Sequence, residues 1–89
     1  MLKVTVKFFA FYRDMTGTEE LTLEFPEGSN VRDLLRSLEE KFEGFRGKLL
    51  NRKVGSRSYI LVRRGEWPDA DDPLADGDEF YLFPPLGGG

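Results

Sequence analysis

The chain has 89 residues, 39% hydrophobic and 33% charged, with a net charge of −3. That length allows one domain with a small core, and the acidic balance argues against nucleic acid as a partner. There is no Cys and no His, which excludes disulfides, thiolate or imidazole catalysis, and metal sites built on those ligands.

The opening, MLKVTVKFF, alternates and lacks the shape of a signal peptide. No apolar run approaches the ~20 residues of a membrane helix. These features point to the cytosol and to no membrane partner. Leu2, Val4, Val6 and Phe8 fall on one face of the predicted strand, with Lys3, Thr5, Lys7 and Phe9 on the other. DMTGTEE is read as the turn, with Gly17 taking the positive φ. ELTLEF, with Leu21, Leu23 and Phe25 inward, completes a hairpin.

Asn30 then suits an N-cap, and Asp33 places negative charge in a first helical turn. Val31, Leu34, Leu35, Leu38 and Phe42 recur at helical spacing, which predicts a helix over 31–43 ending at a Gly44 cap. Phe45, Leu49, Leu50 and Val54 are candidates to pin the next segment to the core. SYILVR reads as a strand with Ile60 and Val62 buried, RGEWP as a turn and short strand, and EFYLF as a last strand with Phe80 and Leu82 inward. Pro84 and Pro85 stop the ladder, because proline has no N–H to donate.

The order β-β-α-β-(β)-β leaves one main helix to cover one face of a mixed sheet of four to five strands. That is an α+β, β-grasp (ubiquitin-like) arrangement, with the first and last strands side by side at the centre. The expected division is a domain over 1–83 and an extended tail over 84–89.

Few stretches carry chemistry. EGFRGKLL lacks the glycine spacing and the Ser or Thr of a phosphate loop. In DADDPLADGDE, counted from Asp69, Pro73 and Leu74 fall where a calcium loop needs a ligand and a glycine, so the stretch reads as a solvated acidic turn. Arg46, Lys48, Arg52, Lys53 and Arg57 cluster in 46–57, as a solvated loop or a docking patch for an acidic partner. On the sheet face away from the helix, Phe9, Tyr81 and Phe83 point outward, with Trp67 in an exposed segment. Such rings mark a partner surface or a partly covered sheet edge.

The end, FPPLGGG, is the most distinctive stretch. Six residues in extended form reach about 20 Å beyond the last strand, and glycines can thread a channel too narrow for any side chain. An α-carboxylate at the tip, with a pKa near ~3.5, is ionised at neutral pH. It can attack the α-phosphate of ATP held by another protein, and a second nucleophile can displace AMP from the acyl-adenylate. A chain without Cys or His would then be the carried group, with catalysis supplied by the partner.

VKFFAFYRDMTG and DDPLADGDEFYLFPPLGGG resemble the opening and closing stretches of the ubiquitin-like sulfur-carrier family, on the branch of the molybdopterin synthase small subunits. The resemblance implies a carrier whose terminal glycine, Gly89, is adenylated and converted to a thiocarboxylate, with Gly88 as the second glycine. The ATP would be used by the activating enzyme, and no cofactor or metal would be held permanently. It further implies a monomer that docks on an adenylating enzyme similar to the ubiquitin-activating enzymes, and on the large synthase subunit. There it donates sulfur for the dithiolene of a molybdenum or tungsten cofactor. Phe9, Trp67 and Phe83 match the family's apolar partner contacts and Arg13 a basic one, with Tyr81 beside them. Pro84, Pro85, Leu86 and Gly87 form the inserted stretch. Gly87 stands where Ser or Thr is frequent, and Trp67 is bulkier than the usual aliphatic. Related carriers serve thiamine synthesis or tRNA thiolation, or are joined to lysines as modifiers. A β-grasp interaction domain with an inert tail is the alternative of a different class.

Overall fold

The structure, a computed structural model, describes residues 1–50 and 59–85. Val54, Arg52, Lys53 and Arg57, and the tail residues Leu86, Gly87, Gly88 and Gly89, lie outside them. Strands β1 (Leu2–Phe8), β2 (Glu20–Phe25), β3 (Ile60–Val62) and β4 (Glu79–Phe83) form one sheet in the order β2-β1-β4-β3. β1 pairs antiparallel with β2 and parallel with β4, so the first and last strands share the centre as expected.

Helix α2 (Val31–Lys41) covers one face. Val31, Leu34, Leu35 and Leu38 are buried against Val4, Val6, Phe8, Phe80 and Leu82, which is where the 3.6-residue period of the one element and the two-residue period of the others place them. Its start is a capping box. The Asp33 amide donates to Asn30 Oδ1 at 3.0 Å, and the Asn30 amide to Asp33 Oδ2 at 2.9 Å, worth about 1 kcal/mol.

Five expectations are corrected. The link between β1 and β2 is not a plain turn, because it contains a short helix, α1 (Phe11–Thr16). Six residues are too few to form a helix unaided. Burial of Tyr12 against the Phe45 ring, 5.0 Å between centroids, holds this one. Gly17 closes it at φ 78. Gly44 is not the cap of α2, which ends at Lys41 with Phe42 extended; Gly44 sits in a 3-10 turn, Glu43–Phe45. A Cβ there would strike the Met15 thioether, so the glycine serves a close approach to α1. β3 has the opposite phase from the expected one, with Tyr59 and Leu61 buried and Ile60 and Val62 half exposed. RGEWP adds only an isolated bridge between Arg63 and Glu66, so the described sheet has four strands.

The fifth correction concerns the acidic loop, which is not merely solvated. The Asp78 side chain is 4% exposed and joins Arg63 and Arg64, each at 3.0 Å. Asp76 Oδ1 accepts from the Lys3 amide at 2.8 Å, tying the loop to β1.

After α2, the segment through Leu50 is held by one carboxylate. Glu39 accepts from the amides of Leu50 at 2.7 Å, Leu49 at 2.8 Å and Gly47 at 3.1 Å. Partial burial raises the Glu39 pKa, but the three hydrogen bonds outweigh it and hold the group below the usual glutamate value. The Tyr59 hydroxyl donates to the Leu49 carbonyl at 3.0 Å. Burial, then the Glu39 charge, pushes this phenol up to about 12, so it stays a donor. A depressed carboxylate pKa stabilises the fold above the unfolded pKa, and that contribution is lost as pH falls through the folded value. Glu39→Gln is expected to cost about 1 kcal/mol at neutral pH. Thermal melts of wild type and variant are expected to converge on acidification, and a gap that persists at low pH would contradict this.

Candidate docking face and tail root

On the outer face of the sheet, polar pairs occupy β1 and β2: Lys3 opposite Glu24, Thr5 opposite Thr22 with hydroxyls 3.0 Å apart, and Lys7 opposite Glu20. The other end of the face is apolar. The Phe9 amide donates to the Leu82 carbonyl at 3.2 Å, carrying the pairing one residue beyond β1. This sets the Phe9 ring flat on Phe83, with 4.5 Å between centroids and 12° between planes, and 6.0 Å from Tyr81. Lys7 Nζ lies 5.7 Å from the Tyr81 centroid, and the Tyr81 hydroxyl donates to Glu79 at 3.2 Å.

Two residues that the sequence reading placed inside complete the patch. Ile60 pairs opposite Phe83 and Val62 opposite Tyr81, both half exposed on this face. The signal was the alternative phase of SYILVR, in which Tyr59 and Leu61 take the core. The patch therefore comprises Phe9, Ile60, Val62, Tyr81 and Phe83, at the end of the sheet where β4 passes into half-buried Pro84 and Pro85.

Trp67 is 59% exposed but follows the bridge between Arg63 and Glu66. That bridge is three residues, about 10 Å, along the edge from Ile60. The structure does not bring Trp67 into the stacked cluster. Arg13 stands on α1, half exposed, with a loose 3.9 Å approach to Glu19, a pair worth little in solvent.

The stacked Phe9–Phe83 pair adds about 0.5–1.5 kcal/mol beyond the area it buries. The patch offers apolar contact and no nucleophile. Among the described residues, no helix is long and apolar enough to cross a membrane.

Fold and face together define a ubiquitin-like β-grasp protein with an aromatic patch beside the point where β4 passes into Pro84 and Pro85. The chain belongs to the ThiS family, whose model matches residues 6–89. It is similar to the molybdopterin synthase sulfur carrier subunit of Escherichia coli (strain K12), at 32% identity over 90 residues that cover 97% of this chain and 99% of the relative. It is also similar to small archaeal modifier protein 3 of Haloferax volcanii, at 30% identity over 92 residues that cover 99% of this chain and 100% of the relative. A Pyrococcus furiosus structure assigned as molybdopterin converting factor subunit 1 superposes at a TM-score of 0.83 with 32% identity, over 97% of this chain and 100% of that one. A solved complex of subunits 1 and 2 of the Helicobacter pylori molybdopterin-converting factor gives a TM-score of 0.63 with 25% identity, over 99% of this chain and 100% of that one.

Proposed function

We propose that this chain is a sulfur carrier, the small subunit of molybdopterin synthase. The observation that carries the reading is similarity along nearly the whole length of the Escherichia coli carrier subunit, with a family match that runs through Gly89. The Gly89 carboxylate attacks the α-phosphate of ATP in an adenylating partner; an oxygen–phosphorus bond forms and pyrophosphate leaves. A sulfur nucleophile then adds to the acyl carbon and AMP leaves, giving the thiocarboxylate. Gly88 and Gly87 let the strip enter the partner's site. The large synthase subunit then receives the tail, in keeping with the two-subunit complex solved for the Helicobacter pylori protein. ATP belongs to the activating enzyme, the carrier keeps no cofactor of its own, and the work is cytosolic.

In this scheme Phe9, Tyr81 and Phe83 seat the partner, Arg13 meets an acidic group on it, and Pro84, Pro85 and Leu86 direct the tail. Phe83→Ala is expected to weaken partner binding by roughly 30-fold, the scale of an interface hot spot, while shifting the thermal melt little because the ring is only half buried. Unchanged affinity together with a lowered melt would make the ring structural.

The similarity to small archaeal modifier protein 3 favours a second reading, in which a lysine amine rather than sulfur displaces AMP and the chain is joined to other proteins. One experiment separates them. The chain is incubated with its adenylating enzyme, ATP and a sulfide source, and its intact mass is measured. A gain equal to sulfur minus oxygen supports the carrier, and a ladder of isopeptide conjugates supports the modifier. No change in either assay defeats both.

A further inference from the structure

Helix α1 is joined to β1 by a strained corner. The Tyr12 amide donates to the Phe9 carbonyl at 3.1 Å, and the Arg13 amide to the Ala10 carbonyl at 3.0 Å. Between them Ala10 takes φ 55 and ψ −136, near the values of about +60° and −120° at which a type II′ turn favours glycine. Ala10 is exposed, so no burial of its methyl offsets the strain. A six-residue helix is marginal by itself, and this corner works to open it. Side chains therefore hold α1 in place.

Tyr12 and Met15, neighbours on one side of the helix at i, i+3 spacing, both reach the 3-10 turn Glu43–Phe45. The Tyr12 ring meets Phe45 at 5.0 Å. The Met15 side chain crosses Gly44 so closely, from Cγ through Sδ to Cε, that a Cβ on the glycine would have no room. The two anchors differ in exposure and in chemistry. Tyr12 is buried, whereas Met15 is 36% exposed. With no Cys in the chain, Met1 and Met15 hold the only sulfur atoms among its side chains, and hydroperoxides oxidise a thioether to a sulfoxide.

We propose that Met15 is an oxidation site, and that its sulfoxide releases α1 from the 3-10 turn. The oxidant is hydrogen peroxide or an organic hydroperoxide. A sulfur lone pair attacks the peroxide, a sulfur–oxygen bond forms, the oxygen–oxygen bond breaks, and water or an alcohol leaves; sulfur gives up an electron pair and the peroxide is reduced. An oxygen on the Gly44 side has no space, because even a Cβ does not fit there. An oxygen on the outer side makes the sulfur a strong dipole that draws water into an apolar contact. Either product weakens the anchor, and the strain at Ala10 then favours release. α1 carries Arg13 and begins two residues after Phe9, so its release loosens one side of the docking face. That consequence rests on the reading of Phe9 and Arg13 as partner contacts.

The test treats wild type and Met15→Leu, as full chains, with dilute hydrogen peroxide. Gain of one oxygen, and exchange of oxygen for sulfur at Gly89, raise the mass by nearly the same amount, so the adduct is located by fragmentation. The expected result is a sulfoxide at Met15 of wild type, with the Arg13 and Gly17 amides, bonded to the Ala10 and Arg13 carbonyls, exchanging with solvent at least about fivefold faster. The Thr5 amide, bonded to the Asp78 carbonyl in the middle of β1, keeps its rate. Methionine sulfoxide reductase restores the original exchange. Met15→Leu keeps the apolar volume and shows no change on treatment, which separates Met15 from Met1. Affinity for the large synthase subunit from the same organism is expected to fall roughly fivefold in oxidised wild type and to hold in treated Met15→Leu. Oxidation confined to Met1, or a Met15 sulfoxide with unchanged Arg13 and Gly17 exchange, would overturn the inference. Faster exchange with full affinity would keep the oxidation-sensitive anchor and overturn the reading of Phe9 and Arg13 as partner contacts.

Discussion

Under the proposed carrier function, deletion of Gly89 is expected to abolish charging with sulfur while the domain folds and melts as wild type. In the proposed reaction the carboxylate has to reach an α-phosphate inside the adenylating partner. One residue fewer withdraws the tip by about 3.3 Å, and a misplacement of one ångström can cost about 100-fold in rate. One alanine appended after Gly89 is expected to have the same result, because an amide would then stand where the nucleophile should be. Gly88→Phe acts by bulk, since glycine alone offers no Cβ to a narrow channel. Folding is indifferent because the buried core of the described residues ends at Leu82. Intact mass after reaction with the adenylating enzyme, ATP and sulfide, beside a thermal melt, checks all three variants. Charging of the deletion and the extension at the wild-type level would reduce the tail to a spacer.

What could be read from the sequence was what local periodicity determines. The inward faces of β1, β4 and α2, and the Asn30 cap, follow from spacings within one element, and the structure keeps each of them. So do the outward rings of Tyr81 and Phe83, which gave most of the candidate site. Errors arose where a distant partner decides. In Tyr59-Ile60-Leu61-Val62 either phase offers two apolar residues to the core. Pairing of Leu61 with Leu82, and the reach of the Tyr59 hydroxyl to Leu49, choose the phase. The same misreading hid Ile60 and Val62 from the outer patch. α1 was illegible because its helical state depends on Phe45, 33 positions from Tyr12 in the chain. Trp67 is exposed, as its segment suggested, and no strand pairing brings it into the stacked cluster.

Asp78→Ala is expected to cost about 3–5 kcal/mol, the usual price of leaving one member of a buried ion pair alone. Nothing in DPLADGDEF distinguishes this aspartate from its solvated neighbours, yet it is the one acid of the loop that is buried. Its Oδ2 accepts from Arg63 Nη1 at 3.0 Å and from the Ala75 amide at 2.9 Å, and its Oδ1 accepts from Arg64 Nη2 at 3.0 Å. Arg63 is 11% exposed, donates to the Pro73 carbonyl at 2.9 Å and lies 5.4 Å from the Phe80 ring centroid. Without Asp78 that guanidinium keeps the Pro73 carbonyl but, for a counter-charge, only a 3.7 Å approach to Asp72, and the Ala75 amide loses its acceptor. For a domain of this size each kcal/mol is worth about 4–8 °C, so Tm is expected to fall by at least roughly 12 °C. Replacing both partners, as Arg63→Met with Asp78→Leu, is expected to recover most of the loss, because no uncompensated charge then remains. A single variant that melts within about 2 °C of wild type would mean that water compensates the guanidinium. The consequence for function follows from position. The Asp78 carbonyl accepts from the Thr5 amide at 2.9 Å at the start of the β1–β4 pairing, and the same strand carries Tyr81, Phe83 and the root of the tail. Loosening the clasp is therefore expected to weaken partner binding as well as the fold, whereas Phe83→Ala weakens binding alone.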